Sequence, residues 1–267
     1  MIRNHGADIL GKSMFDRLHY SWRVLATGFS FAIFAVGGAC IGLFIAVYFY
    51  LAPMARTKKH KFSRTLVARS FRLYINMMRF FGLLTYSIKG GDRLGRPGQL
   101  IIANHPSLLD VVFLMSLMDD ANCVVKGNLR SSWLTRWSVI ASDYISGDSE
   151  SLLDDCKKAL DEGESLIIFP EGTRTHPGQK PKFLRGAAYI AKHSGCQLTP
   201  VLITCDPPTL LKGQKWYQIP AMAPHFSIHA LEDIDLGPAV DDDKHLREEV
   251  RQLNVDLQDI YALRMGL

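Results

Sequence analysis

The sequence predicts an α/β fold, with a mostly parallel central sheet flanked by helices, and three observations carry that expectation. From about residue 84 to the C-terminus, short apolar runs alternate with segments of helical length and spacing. Those runs are bounded by glycine, proline and polar turns, as buried parallel strands are. The late segment from Asp241 to Arg264 places Leu246, Val250, Leu253, Leu257 and Ile260 on one stripe with charges opposite, as a helix covering a sheet does.

Composition supports a packed domain. The chain has 267 residues, 48% of them hydrophobic and 21% charged, which excludes a disordered chain and leaves enough apolar material for a core. No repeat recurs at solenoid or propeller periods. Five scattered cysteines, with no C-x-x-C pair, read as buried small hydrophobes in a reducing compartment.

The first element is apolar. Val24 to Ala55 carries no Asp, Glu, Lys or Arg, and a helix needs ~20 such residues to cross a bilayer core. Trp22 at one end and Tyr48 and Tyr50 at the other stand where interfacial aromatics belong. This predicts one transmembrane or monotopic helix. Gly38 and Gly42 form a small-xxx-small pair, from which neither a dimer nor any other oligomeric state is read.

A basic run follows. Arg56, Lys58, Lys59, Lys61, Arg64, Arg69 and Arg72 occur without an intervening acid, interleaved with Phe62, Leu66, Val67, Phe71 and Leu73. That pattern predicts an amphipathic helix on an anionic membrane surface. Its seven positive charges exceed the net charge of +5, so the body of the protein is slightly acidic and nucleic acid is not an expected partner. The basic excess on the C-terminal flank predicts a cytoplasmic catalytic domain. The chain thus divides into an N-terminal segment (1–23), a transmembrane helix (24–55), a membrane-surface segment (56–83) and an α/β domain (84–267).

Within that domain the expected elements are a strand at Leu100–Ala103, a helix from Pro106 to Met118, and a strand at Cys123–Val125. A short helix at Trp133–Ile140 and an extended piece at Asp143–Ser146 come next. The helix Ser149–Asp161, closed by Gly163, leads to a strand at Ser165–Phe169. A helix at Leu184–Ser194, strands at Leu198–Thr204 and Phe226–Ile234, and the late amphipathic helix complete the set.

Two loops at strand ends carry the chemistry. In Asn104-His105-Pro106-Ser107-Leu108-Leu109-Asp110, proline holds His105 out of the helix, so its ring can turn back and meet Asp110. The carboxylate then fixes the tautomer and leaves the second ring nitrogen as a base. In Phe169-Pro170-Glu171-Gly172-Thr173-Arg174-Thr175, an acid, a glycine, hydroxyls and an arginine emerge together where open α/β sheets bind ligands. Gly172 allows close backbone approach, and Arg174 is suited to an anion.

Together, N-H-x-x-x-x-D and F-P-E-G-T-R-T resemble the glycerolipid (lysophospholipid) acyltransferase family over roughly Leu84–Asp206, with Thr199-Pro200-Val201 similar to its later V-P-V-type strand. The resemblance implies transfer of a fatty acyl group from an acyl carrier protein or coenzyme A thioester to a lipid hydroxyl. It needs no cofactor beyond that co-substrate and no metal. It implies catalytic roles for His105 and Asp110, and substrate binding by Asn104, Glu171, Gly172, Thr173 and Arg174. Membrane lipids are the expected partners. One departure concerns Asp143-Tyr144-Ile145-Ser146-Gly147-Asp148, which lacks the arginine that lysophosphatidate-directed members carry there. Lys126, Arg130, Lys180, Lys182 and Arg185 are the alternative cations. The alternatives left open are a non-phosphorylated acceptor (an amino-acid lipid or a polyene head group), and a thioesterase or lipid hydrolase using the same pair. Less expected are a metal-dependent phosphoesterase and a non-catalytic membrane adaptor.

Overall fold

The computed structural model describes residues 14–127, 136–176, 178–237 and 243–267. Two long helices open the chain, α1 (Met14–Leu51) and α2 (Arg56–Phe80). Then come β1 (Thr85–Lys89), β2 (Gln99–Ala103), α3 (Asp110–Leu117), β3 (Ala121–Val125), α4 (Arg136–Ala141) and β4 (Ile145–Ser146). The rest is α5 (Leu152–Asp161), β5 (Ser165–Ile168), α6 (Gly186–Ser194), β6 (Gln197–Asp206), β7 (His225–Ala230) and α7 (Asp243–Met265).

Seven strands form one sheet in the order β1-β7-β6-β2-β5-β3-β4. The block from β6 to β4 is parallel throughout, and β7 joins β6 antiparallel with β1 parallel to β7. The mostly parallel sheet is as the sequence predicts. Alternation along the strands feeds two cores. Ile101, Ile167 and Ile203 face the layer of α2 and α3, while Leu100, Leu166 and Leu202 face α5, α6 and α7.

Differences from the sequence reading have local causes. β1 gave no apolar signal because it is an edge strand, largely exposed, held only by β7. The last apolar stripe includes Tyr261 in place of Ile260, which is only half-buried. Tyr261 is fully buried, and its hydroxyl donates to the Ile102 carbonyl at 2.6 Å while accepting from the Val201 N–H at 3.1 Å. Ile102 lies opposite Pro200, which has no N–H to donate to the ladder. The starts of the expected helices at Trp133 and Asp241 lie outside the described residues, as do Arg130 and most of the N-terminal segment.

The apolar segment lies inside a longer helix. α1 begins ten residues earlier, at Met14, and ends at Leu51, just before Pro53, which cannot continue it. It is long and apolar enough to cross a membrane, with a mean hydropathy of 2.3 over its most apolar window. α1 and α2 form an antiparallel hairpin. Trp22 and Phe29 meet Phe81, Phe34 meets Phe71 and Tyr74, and Tyr48 meets Phe62.

α2 lies on the α/β domain, and part of the basic run is spent there. Arg64, 4% exposed, donates to Asp120 at 2.7 Å and Glu164 at 2.6 Å, and Arg72 reaches Asp119. Arg56, Lys58 and Arg69 stay exposed.

Candidate active site

β2 and β5 are neighbours in the sheet, so the loops that leave their carboxyl ends stand side by side. The expected helix from Pro106 starts instead at Asp110. The Ser107 N–H donates to Asp110 Oδ2 at 2.6 Å and the Ser107 hydroxyl to the Thr209 carbonyl at 3.0 Å, so residues 104–109 find their partners outside a helix. Asp110 therefore opens α3 with its carboxylate turned back over the loop.

His105 Nδ1 lies 2.9 Å from Asp110 Oδ2. A carboxylate only accepts, so Nδ1 donates and Nε2 is the basic nitrogen. The ring rests on Phe169, with centroids 4.5 Å apart. The main chain of His105 is held on both sides by the second loop. Its N–H donates to Glu171 Oε1 at 2.8 Å, and its carbonyl accepts from the Thr175 N–H at 3.1 Å.

Asp110 is fully buried and Glu171 nearly so, and each has one buried oxygen, Oδ1 and Oε2, without a partner among the described residues. Burial pushes the Asp110 carboxyl above the usual range, while the bonds from His105 and Ser107 and the charge of Arg174 pull it back. Burial likewise raises Glu171, opposed by the bond from the His105 N–H.

The other expected site residues divide. Asn104 is buried, and its amide exchanges two hydrogen bonds with the Ile203 main chain, at 2.7 and 2.8 Å. It locks β2 to β6 at the foot of the site. Gly172 takes a φ of 62° and closes the Phe169 turn through its N–H. Thr173 is half-buried beside it. Arg174 Nη1 donates to the Leu210 carbonyl at 2.6 Å and the Leu211 carbonyl at 3.2 Å.

Of the alternative cations, Lys180 pairs with Asp259, and Lys126, Lys182 and Arg185 are exposed. In the segment that lacks the expected arginine, Asp148 accepts from the Gly127 N–H at 3.0 Å, and a Cβ at residue 127 would collide with that carboxylate. Sequence reasoning missed Phe169 as the surface under the imidazole. It also missed Thr209, whose carbonyl holds Ser107, since that residue lies in neither motif.

Fold and site define an α/β domain with a histidine–aspartate pair at the carboxyl ends of adjacent parallel strands. Residues 87–204 match the family model described as Acyltransferase. Among its relatives is a 1-acyl-sn-glycerol-3-phosphate acyltransferase of Helicobacter pylori, 31% identical over 132 residues, or 46% of this chain and 56% of the relative. The enzyme of that name from Pseudomonas aeruginosa is 25% identical over 160 residues, 57% of this chain and 62% of the relative. The chain thus spans little more than half the length of the curated relatives it matches. The crystal structure of the 1-acyl-sn-glycerophosphate (LPA) acyltransferase PlsC from Thermotoga maritima shares the fold. Its TM-score is 0.65 at 18% identity, covering 92% of this chain and 98% of that one.

Proposed function

We propose that this protein moves a fatty acyl group from an acyl carrier protein or coenzyme A thioester to the hydroxyl of a 1-acyl-glycerol-3-phosphate-like lysophospholipid. The observation that carries the reading is the 2.9 Å contact of His105 with Asp110 inside a domain that matches the Acyltransferase family model. His105 Nε2 takes the proton of the acceptor hydroxyl as its oxygen attacks the thioester carbonyl. The tetrahedral intermediate then collapses, the C–S bond breaks, and the imidazolium returns the proton to the departing thiolate. Neither an acyl-enzyme nor a resident cofactor enters this sequence. Ser107 is no nucleophile in it, since its buried hydroxyl is bonded to Thr209.

The helical hairpin supports a monotopic seat on the membrane. α1 is about 57 Å long at ~1.5 Å per residue, almost twice a bilayer core. α2 runs beside it and carries exposed Arg69 near the level of Phe34, where a transmembrane α1 would drag it into hydrocarbon. Lying flat, the hairpin places exposed Leu25, Phe29, Val36, Leu43 and Phe44 at the lipid surface. The catalytic domain then faces the cytoplasm, where the thioester donors are.

A second acceptor class is favoured by one observation: residues 143–148 carry no lysine or arginine, and Asp148 is held by the Gly127 N–H. A non-phosphorylated lipid hydroxyl meets no electrostatic penalty in that setting.

The test is acyl transfer by detergent-solubilised protein, wild type beside His105→Ala, with long-chain acyl-carrier-protein thioester and lysophosphatidate. Phosphatidate is expected from the wild type alone, because a general base contributes about 10²–10⁴-fold. Retention of more than about a tenth of the activity by His105→Ala would remove His105 as the base. Product only with a non-phosphorylated acceptor selects the second class, and histidine-dependent acyl release without any acceptor identifies a thioesterase.

A further inference from the structure

Residues 207–224, between β6 and β7, form a strap whose two ends are held by different parts of the chain. At the near end both site loops grip its main chain. Ser107 donates to the Thr209 carbonyl, and Arg174 donates to the carbonyls of Leu210 and Leu211. Leu210 sits at a φ of 53°, a conformation that a leucine keeps only where its surroundings impose it.

At the far end the grip comes from α1. Arg23 is 2% exposed, and its guanidinium donates to the carbonyls of Pro220, Ala221 and Met222 at 3.0–3.1 Å. Between the ends, the Trp216 ring lies over Gly28, close enough that a Cβ there would stand 3.0 Å from it. The remaining gap, lined by Arg23, Thr27, Leu109, Thr209 and Leu210, is a cavity of about 30 Å³. Packing is thus nearly continuous from α1 to the catalytic loop.

Among the described residues, Arg23 has three main-chain carbonyls as partners and no carboxylate. A buried cation with no carboxylate beside it is costly, and an apolar side chain would seat α1 without that cost. What the guanidinium supplies, and an apolar side chain does not, is a fixed position for three successive carbonyls of the strap.

We infer that Arg23 is a positioning residue for the active site, acting through the strap. It holds residues 220–222, the strap holds Ser107 and Arg174, and the Ser107 N–H holds the Asp110 carboxylate against His105. α1 is therefore part of the catalytic scaffold as well as the membrane-facing surface. The effect on turnover rests on the acyl-transfer reading, whereas the tie between α1 and the strap does not.

The experiment uses the full chain in detergent and reads two quantities. Trypsin cleavage at Lys212 and Lys215, both on the strap, reports its release. Kinetic constants for acyl transfer report the site. In Arg23→Met, cleavage at those lysines is expected to be about tenfold faster or more. kcat falls at least about tenfold while KM for the thioester changes little, since a displacement of ~1 Å costs up to ~10²-fold in rate. Arg23→Lys, which keeps a donor, restores part of both. Gly28→Ala favours helix in α1 but presses on Trp216, so it moves both quantities the same way by less and decides the matter if Arg23→Met does not fold.

Unchanged cleavage in a folded Arg23→Met overturns the tie. Faster cleavage with kcat within twofold of wild type overturns the positioning role. A wild type inactive toward every acceptor and as a thioesterase would refute the acyl-transfer reading, and the cleavage rates would still decide the tie.

Discussion

The His105 main-chain N–H donates to Glu171 Oε1 across 2.8 Å, joining two loops whose residues lie sixty-six positions apart. The acid of the second motif thus sets the backbone of the histidine in the first. Its other oxygen is buried and has no partner among the described residues.

This relationship separates two substitutions. Glu171→Gln keeps an oxygen for the His105 N–H and should retain activity within about tenfold of wild type. Glu171→Ala removes the anchor and should lose about 10²-fold, mainly in kcat, as expected for a misplaced base. Steady-state kinetics on both variants distinguish this from a purely acceptor-binding role, in which the acceptor KM would rise most.

Asp110→Asn should trade activity for stability. The folded-state pKa of Asp110 is raised by burial, so the protein favours its protonated form more than the unfolded chain does. The linked stabilisation is complete below the unfolded value of ~3.9 and is lost as pH rises through the higher folded value. Asparagine does not titrate. The Tm of Asp110→Asn relative to wild type should therefore rise between pH 4 and pH 8, while turnover collapses.

Tyr261→Phe tests the bridge between β2 and β6. It leaves the Ile102 carbonyl without its tyrosine donor and the Val201 N–H without its acceptor, in a setting closed to water. A loss of about 2–4 kcal/mol is expected from two buried polar groups, measured by urea denaturation.

Arg64→Met tests how α2 is fastened. Its removal leaves Asp120 with exposed Lys61 and Glu164 with the Asn122 amide, each short of its guanidinium partner beneath the helix. Breaking such a pair costs about 3–5 kcal/mol when it is fully buried, and these carboxylates are partly exposed, so about 2–3 kcal/mol is expected. The midpoint of chemical denaturation checks it, and added salt should shrink the difference.

Periodicity and local chemistry made much of this protein legible in one dimension. The apolar runs of β2, β5 and β6 announced a parallel sheet because strands buried on both faces need side chains that suit both cores. His105 and Asp110 were readable as a pair because proline takes the histidine out of a helix over five residues, a purely local constraint. Gly163 marked a helix end because its left-handed backbone favours glycine.

Other features depended on partners far along the chain. β1 is a strand only because β7 offers it a ladder, and its own side chains carry no burial signal. Arg64 reads as one more cation of a surface run, and only the folded chain brings Asp120 and Glu164 to it. Arg23 reads as a flanking charge of an apolar helix, yet its partners are carbonyls almost two hundred residues away. Sequence alone determined most of the elements and the His105–Asp110 pair, since both follow from short-range sterics and side-chain chemistry. Which charges are buried, which loops are clamped and how α1 joins the site were decided by tertiary structure, because main-chain carbonyls are the same at every residue and gain meaning only where the fold places them.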